Sequence, residues 1–426
     1  MIRFLLKGLL RDKSRSLVPM LVVAIGVMLA VFLQSYVKGL MGDLIEQTAN
    51  FSTGYVKITT AAYAENMDQM PNDLALLDVS QLMDKLKQKF PQVKWEPRIR
   101  FGGLIDVPDQ NGETRSQGPA IGMGVDLLSD NSDEAKRLNL SKSLVRGKLP
   151  DKAGEALLSE DFSRKLNVNP GDELTLIGSD MNGGMAIYNF VLSGTVCFGT
   201  TALDRGTIIA DLADVQRALD MPDGASEILG FLKGSYYSNE NVAPIVKEFN
   251  ETFVDKNDEF SPVIMRLSDQ EGMGMYVDLS KSMGKIVIFV FIIAMSLVLW
   301  NAGLLGGLRR YGEIGIRLAM GEEKGHVYRS MIYEAIMIGI IGTILGTGIG
   351  LLFAWLMQEY GINISEFTKN STSGVMLPNV IKGRITPATY YIGFIPGLLS
   401  TVVGTMLAGI GIFKRKTARL FKELEV

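Results

Sequence analysis

Four stretches of this chain contain 21–23 residues each without a single charged side chain: 17–37, 286–308, 335–357 and 391–413. A helix needs about 20 apolar residues to cross a hydrocarbon core of about 30 Å. Backbone groups inside lipid must be satisfied within the segment, so each stretch predicts a membrane-spanning helix. Four such runs do not fit one water-soluble core of 426 residues. They also account for a mean hydropathy of +0.19 in a chain that is 21% charged. The first run lacks a small-x-small cleavage site and reads as a retained span.

Charge gives the expected orientation. The short flanks 1–16, 309–330 and 414–426 hold fifteen basic and six acidic residues, a net of +9. The long piece 38–285 holds 25 basic and 37 acidic residues, a net of −12. Short basic flanks stay in the cytoplasm. The expected order is therefore a cytoplasmic amphipathic helix at 1–16, a span at 17–37 and an extracytoplasmic domain at 38–285. A second span at 286–308, a cytoplasmic segment at 309–330 and a third span at 331–357 follow. An outer loop at 358–390, a fourth span at 391–413 and a cytoplasmic tail at 414–426 complete it. Residues 1–13 suit a helix lying in the interface or the start of the first span. Residues beyond the first span and before the second keep helical spacing and predict helical stalks.

The outer piece carries a weak repeat. GYVKITTAA (54–62), SQLMDKLKQKF (80–90) and VKWEPRIR (93–100) read as strand, helix, strand. EILGFLKGS (227–235), NVAPIVKEFNETF (241–253) and FSPVIMRLS (260–268) read the same way. Two β-α-β halves predict a split ferredoxin-like unit. Residues 101–225, rich in short alternating segments, predict an inserted β-rich part. The fold class is then a membrane α-helical protein with four transmembrane helices plus a large α+β extracytoplasmic domain. Within the insert, Met181 and Met185 flank Asn182-Gly183, a strong hairpin-turn signal. That tip is either an ordinary hairpin with its methionines packed on the domain or a partner-binding hairpin.

Gly342, Gly346 and Gly350 recur every four residues in the third run, and Gly393 and Gly397 do so in the fourth. Such spacing lets helix backbones approach closely, within one chain or across a dimer. Glu334 opens the third span, where a carboxylate is either functional or reaches water or Arg329.

Several chemistries are excluded. No GxxxxGK[ST] loop occurs, so these residues do not bind ATP in the P-loop manner. HExxH, CxxC and GxSxG are absent. The single histidine, His326, and single cysteine, Cys197, rule out a histidine-rich metal centre and an intramolecular disulfide. The chain is read as non-catalytic, binding no cofactor or metal of its own. Its acidic outer domain offers no groove for nucleic acid.

The stretch RRYGEIGIRLAMGEEKGHVYRS (309–330) stands between two spans. Tyr311, Ile314 and Leu318 form a short helical apolar face. Glu313 and Arg317 have the favourable i,i+4 order. Gly321 suits a left-handed C-cap. A helix this short needs a surface, either lipid headgroups or a cytoplasmic protein.

EIGIRLAMG (313–321), the basic pair before it and YEAIMIGIIGTILG (333–346) resemble the MacB/FtsX-like permeases of ABC transporters. SLVPMLVVAIGV (16–27) and LLSEDFSRKLNVNPGDELTLIG (157–178) extend the resemblance. GYVKITTAAYAE (54–65) is similar to the lipoprotein-releasing LolC/LolE-type branch. The resemblance implies a type VII, mechanotransmission permease in the bacterial inner membrane, dimeric with itself or a second permease. It implies ATPase subunits that carry ATP and Mg, docked on a coupling helix at Glu313, Ile314, Arg317, Leu318 and Gly321. It also implies a lipoprotein or other periplasmic cargo, with the Asn182 hairpin placed where a carrier-binding hook occurs. A MacB-like exporter of peptides, toxins or drugs and an FtsX-like regulator of an extracellular partner are the alternatives.

Overall fold

The computed structural model describes residues 13–109, 111–199, 201–234, 236–255, 257–270, 272–309, 316–317, 320–363 and 380–413. The expected helix at 1–12, the outer loop at 364–379 and the tail at 414–426 lie outside the described residues. The rest divides into a unit built on the apolar helices and a unit built on residues 43–277.

The four apolar runs fold as helices Lys13–Thr48, Met273–Arg309, Lys324–Tyr360 and Phe394–Phe413. All four are long and apolar enough to cross a membrane. At about 1.5 Å per residue, the first three, of 36, 37 and 37 residues, run about 54–56 Å, well past a ~30 Å core. Extensions of the first two were expected. The third also exceeds its apolar run, starting at Lys324. Its polar first turns are helix-compatible, so the helix begins where Glu323 leaves it, not where polarity ends.

Small residues set the packing. A Cβ on Gly342 would lie 2.9 Å from Val23, on Gly346 2.4 Å from the Ala24 carbonyl oxygen, and on Gly350 3.0 Å from the Met28 carbonyl oxygen. The third helix thus lies against the first, one turn per glycine. On the fourth segment, Gly393 and Gly397 admit Thr347 and Thr343 of the third helix and Val27 of the first. All five predicted packing glycines therefore sit at contacts within this chain. Val23, Val27 and Val31 with Met295 and Leu299 form the apolar centre. The Lys38 ammonium donates to the Ser280 carbonyl, 2.9 Å, joining the first and second helices.

The described residues of the extramembrane unit form one sheet of ten strands: β1 (Val56–Thr60), β2 (Val93–Pro108), β3 (Thr114–Val125), β4 (Leu144–Gly147), β5 (Glu155–Ser159), β6 (Glu173–Ser179), β7 (Met185–Val196), β8 (Thr207–Asp211), β9 (Glu227–Leu232) and β10 (Pro262–Arg266). Its main helices are α1 (Val79–Lys89), α2 (Glu160–Leu166), α3 (Leu212–Ala218) and α4 (Asn239–Phe253). The order β10-β1-β9-β2, antiparallel throughout, is ferredoxin-like. Its helices are α1 and α4, whose apolar stripes (Val79, Met83 and Leu86; Val242, Ile245 and Phe249) join the core under the sheet. Both halves of the sequence repeat are thus recovered.

The insert is a closed barrel. Pairings run β2-β3-β8-β5-β7-β6 and return to β2. Closure leaves no free edge in that ring. β2 serves both parts: Val93–Arg98 pairs with β9, and Ile99–Pro108 with β3. Phe101, Ile105, Leu158, Leu176, Phe190 and Ile208 are among the buried residues filling the barrel.

Candidate functional site

Of the predicted docking residues, Glu313, Ile314 and Leu318 lie outside the described residues. Arg317 and Gly321 are described. The Met320 amide donates to the Ile316 carbonyl at 2.9 Å, and the Glu322 amide to Arg317 at 3.1 Å. Those bonds are a helix ending, and Gly321 follows at φ +91°, a conformation L side chains avoid. Two residues step out beside Arg317: Ile316 is 61% exposed and Met320 75%. The apolar face expected at Tyr311, Ile314 and Leu318 lies outside the described residues. Glu334 is half-buried at the third helix.

The hairpin is built by Asp180. Its Oδ1 accepts from the Asn182 amide at 2.8 Å and the Gly184 amide at 2.7 Å. Gly183 takes φ +80°. The Asn182 side-chain amide donates to Asp220 at 3.1 Å, tying the turn to the loop after α3. The two methionines part company. Met181 packs on the barrel core, its amide donating to the Leu219 carbonyl. Met185 is 74% exposed. Beyond it, Ile187 faces Ile177, Ile177 faces Leu104, and Leu104 faces Pro119 in register across four strands. Ile187 and Pro119 are exposed and the two between are half-buried. The hairpin thus heads an apolar row on the outside of the barrel.

A buried charge cluster escaped the sequence reading. Lys57 and Glu227 meet at 2.6 Å, both almost fully buried. Arg98 is entirely buried and its Nε donates to Glu134 at 2.7 Å. The Arg137 guanidinium lies 3.5 Å over the Phe231 ring, a favourable cation–π placement. Lys94 bonds Asp133 and approaches Glu96 at 3.3 Å. The Arg98–Glu134, Arg137–Phe231 and Lys94–Asp133 contacts tie segment 133–137 of the insert to the ferredoxin-like sheet. Burial pulls the Lys57 ammonium below its ordinary value against the pull of Glu227. Burial, and then the Glu134 charge, push the Glu96 carboxyl up. KITT and EPRIR look like ordinary half-exposed strand ends, so nothing in their pattern announces buried ions.

Comparison with known proteins agrees with this architecture. The MacB-like periplasmic core domain family matches residues 16–251, and the FtsX-like permease C-terminal family matches 285–417. The chain is similar to the lipoprotein-releasing system transmembrane protein LolC of Haemophilus influenzae, 22% identical over 66% of this chain and 65% of the relative. It is also similar to the macrolide export ATP-binding/permease protein MacB of Mannheimia succiniciproducens, 22% identical over 85% of this chain and 54% of the relative. The matches therefore span less than two thirds of these relatives' own lengths. The solved periplasmic region of MacB from Actinobacillus actinomycetemcomitans aligns at 13% identity and TM-score 0.35, covering 53% of this chain and 94% of that one. With a family match across more than half of its residues, a four-helix membrane part and a split ferredoxin-like domain holding a barrel, the chain belongs to the MacB/FtsX-like family of ABC transporter permeases.

Proposed function

We propose that this chain is the permease subunit of an ABC transporter whose ATP hydrolysis, with Mg, takes place on separate cytoplasmic ATPase subunits. The observation that carries the reading is the turn at Gly321. A helix end presents Ile316, Arg317 and Met320 beside a left-handed glycine. Exposed apolar residues around a cation suit a protein groove better than solvent. Glu313, Ile314 and Leu318 belong to the same docking segment, and both termini are cytoplasmic. The helices Lys13–Thr48 and Met273–Arg309 are unbroken rods longer than a bilayer, suited to carrying a push outward. The work is done on a lipoprotein or other periplasmic substrate, by a pair of permeases.

The experiment is purification in mild detergent followed by mass spectrometry of everything bound. A polypeptide with a GxxxxGK[ST] loop is expected. Its absence, with the permease intact and folded, would sink the reading.

The exposed Met185 and the apolar row beside it support a carrier-docking role for the hairpin. A photo-crosslinking residue at Met185 is expected to capture a soluble periplasmic protein. Labelling of lipid alone would reduce the tip to a structural turn.

A further inference from the structure

Contacts within the unit built on the apolar helices place four segments at one level. The Lys38 ammonium reaches the Ser280 carbonyl at 2.9 Å, and a Cβ on Gly284 would lie 2.7 Å from the Gln34 side-chain amide. The Ser35 hydroxyl donates to the Arg384 carbonyl at 3.0 Å. The Arg384 amide returns a bond to the Ser35 carbonyl at 3.0 Å. Gly39 admits the Lys382 carbonyl oxygen, which would stand 1.9 Å from a Cβ there. On the third helix, the Met357 carbonyl accepts from the Gly383 amide at 3.4 Å, and the Gln358 side chain from the Ile385 amide at 3.1 Å. The uncharged runs of the first two helices meet Lys38 and Lys285 at this same level.

Aromatic side chains gather on either side of that level. Trp355 and Tyr360 flank Met357 on the third helix, and both are exposed. Tyr390 and Tyr391 are exposed as well. They lie in the short helix Pro387–Ile392, which enters the fourth span from a reciprocal cap between Thr386 and Thr389. At the opposite end of the third helix, Tyr333 is exposed too. From Tyr333 to Tyr360 the helix rises about 40 Å at about 1.5 Å per residue. A bilayer with its headgroup layers measures about 40–45 Å.

A tyrosine ring favours apolar surroundings while its hydroxyl favours polar ones. Both are met where acyl chains give way to headgroups. Tyr390 and Tyr391, neighbours on one helix, point about 100° apart. With Trp355 and Tyr360 they face outward over a wide arc. A lipid layer covers such an arc, and a single flat protein patch does not. We propose that these four aromatic residues anchor the third and fourth helices in the phospholipid headgroup layer on the side of the extramembrane domain, and that the strap Lys382–Ile385 holds the first helix at that depth. The first helix then leaves the hydrocarbon at Lys38, and its remaining turns to Thr48 stand outside it.

Depth-dependent quenching tests this in the full chain, placed in phosphatidylcholine vesicles. Trp300→Phe and Trp355→Phe clear the apolar helices of indole. Trp95, buried in the extramembrane core, stays as a constant background. Three chains then carry one reporter each: Tyr360→Trp, Tyr390→Trp, and Leu345→Trp at an exposed position near the middle of the third span. The lipids carry bromine either near the headgroup end of the acyl chain or near its tip. At Tyr360 and Tyr390 the shallow bromines are expected to quench more strongly than the deep ones, by about twofold or more, as an interfacial residue requires. The order should reverse at Leu345. Both tyrosine substitutions keep an aromatic ring at an exposed position, so circular dichroism should match the native chain. Stronger quenching by deep bromines at Tyr360 and Tyr390 overturns the proposal. So does quenching by neither, which would mean that water, or protein such as a second permease, covers this face. A Leu345 reporter that neither bromine quenches would contradict the span itself, so that failure is told apart from a failure of the anchor.

Discussion

Gly346→Leu is expected to disrupt the helical membrane unit. Even a bare Cβ at this position would stand 2.4 Å from the Ala24 carbonyl oxygen and 2.9 Å from Val27. The first neighbour is backbone and cannot swing aside. Overpacking a filled core costs about 1–3 kcal/mol, and a leucine driven against backbone belongs at or above the top of that range. Lipid tails are as apolar as leucine, so the displaced helices regain nothing from burial, and close packing is what holds them. Titration with a denaturing detergent, read by helix content and tryptophan emission, should show an earlier transition. Gly348→Leu is the control, because nothing lies within 4 Å of its Cβ position. Equal behaviour of the two variants would refute the packing assignment.

Glu227→Gln is expected to cost the extramembrane domain about 3–5 kcal/mol, the usual penalty for stranding one buried charge. Lys57, almost fully buried, loses the carboxylate 2.6 Å away. Lys57→Met with Glu227→Leu together should cost far less, because the desolvation of both ions disappears with them. The same carboxyl gives a pH signature. Burial pushes it up, but Lys57 and then Arg100 pull it below the ordinary carboxylate range. Stability from a group depressed in the folded state is complete above its unfolded pKa and is lost as pH falls through the folded one. Glu96 works in the other direction, being raised. The difference in unfolding free energy between the native chain and Glu227→Gln, measured from neutral to acid pH, isolates the Glu227 part. It should shrink on acidification. A difference that stays constant would mean that Glu227 and Lys57 are not coupled as described.

Legibility followed the range of each interaction. Spans were readable because about 20 uncharged residues permit one solution in lipid. The ferredoxin-like halves were readable because α1 and α4 carry clean apolar stripes between short strands. Barrel closure was not, because it depends on β6 reaching β2, which lies some 70 residues earlier in the chain. β2 makes that possible by running 16 residues, past Arg100, where the strand pattern of VKWEPRIR stops. Arg98 and Glu134 were invisible for the same reason: an ion pair between residues 36 apart leaves no local pattern. At the turn after Arg317, the stop at Gly321 was readable from residue type. The exposure of Ile316 and Met320 was not readable, because which side chains face outward depends on what packs around the turn.

The central claim, that segment 309–330 seats a separate ATPase, is tested most directly by charge reversal. Arg317→Glu and Glu313→Lys chains should each be purified in mild detergent beside the native chain, with bound polypeptides quantified by mass spectrometry. The account predicts that the ATPase is depleted from both variants while their helix content and detergent stability are unchanged. An ATPase that stays bound to both, with its hydrolysis still coupled, would contradict it.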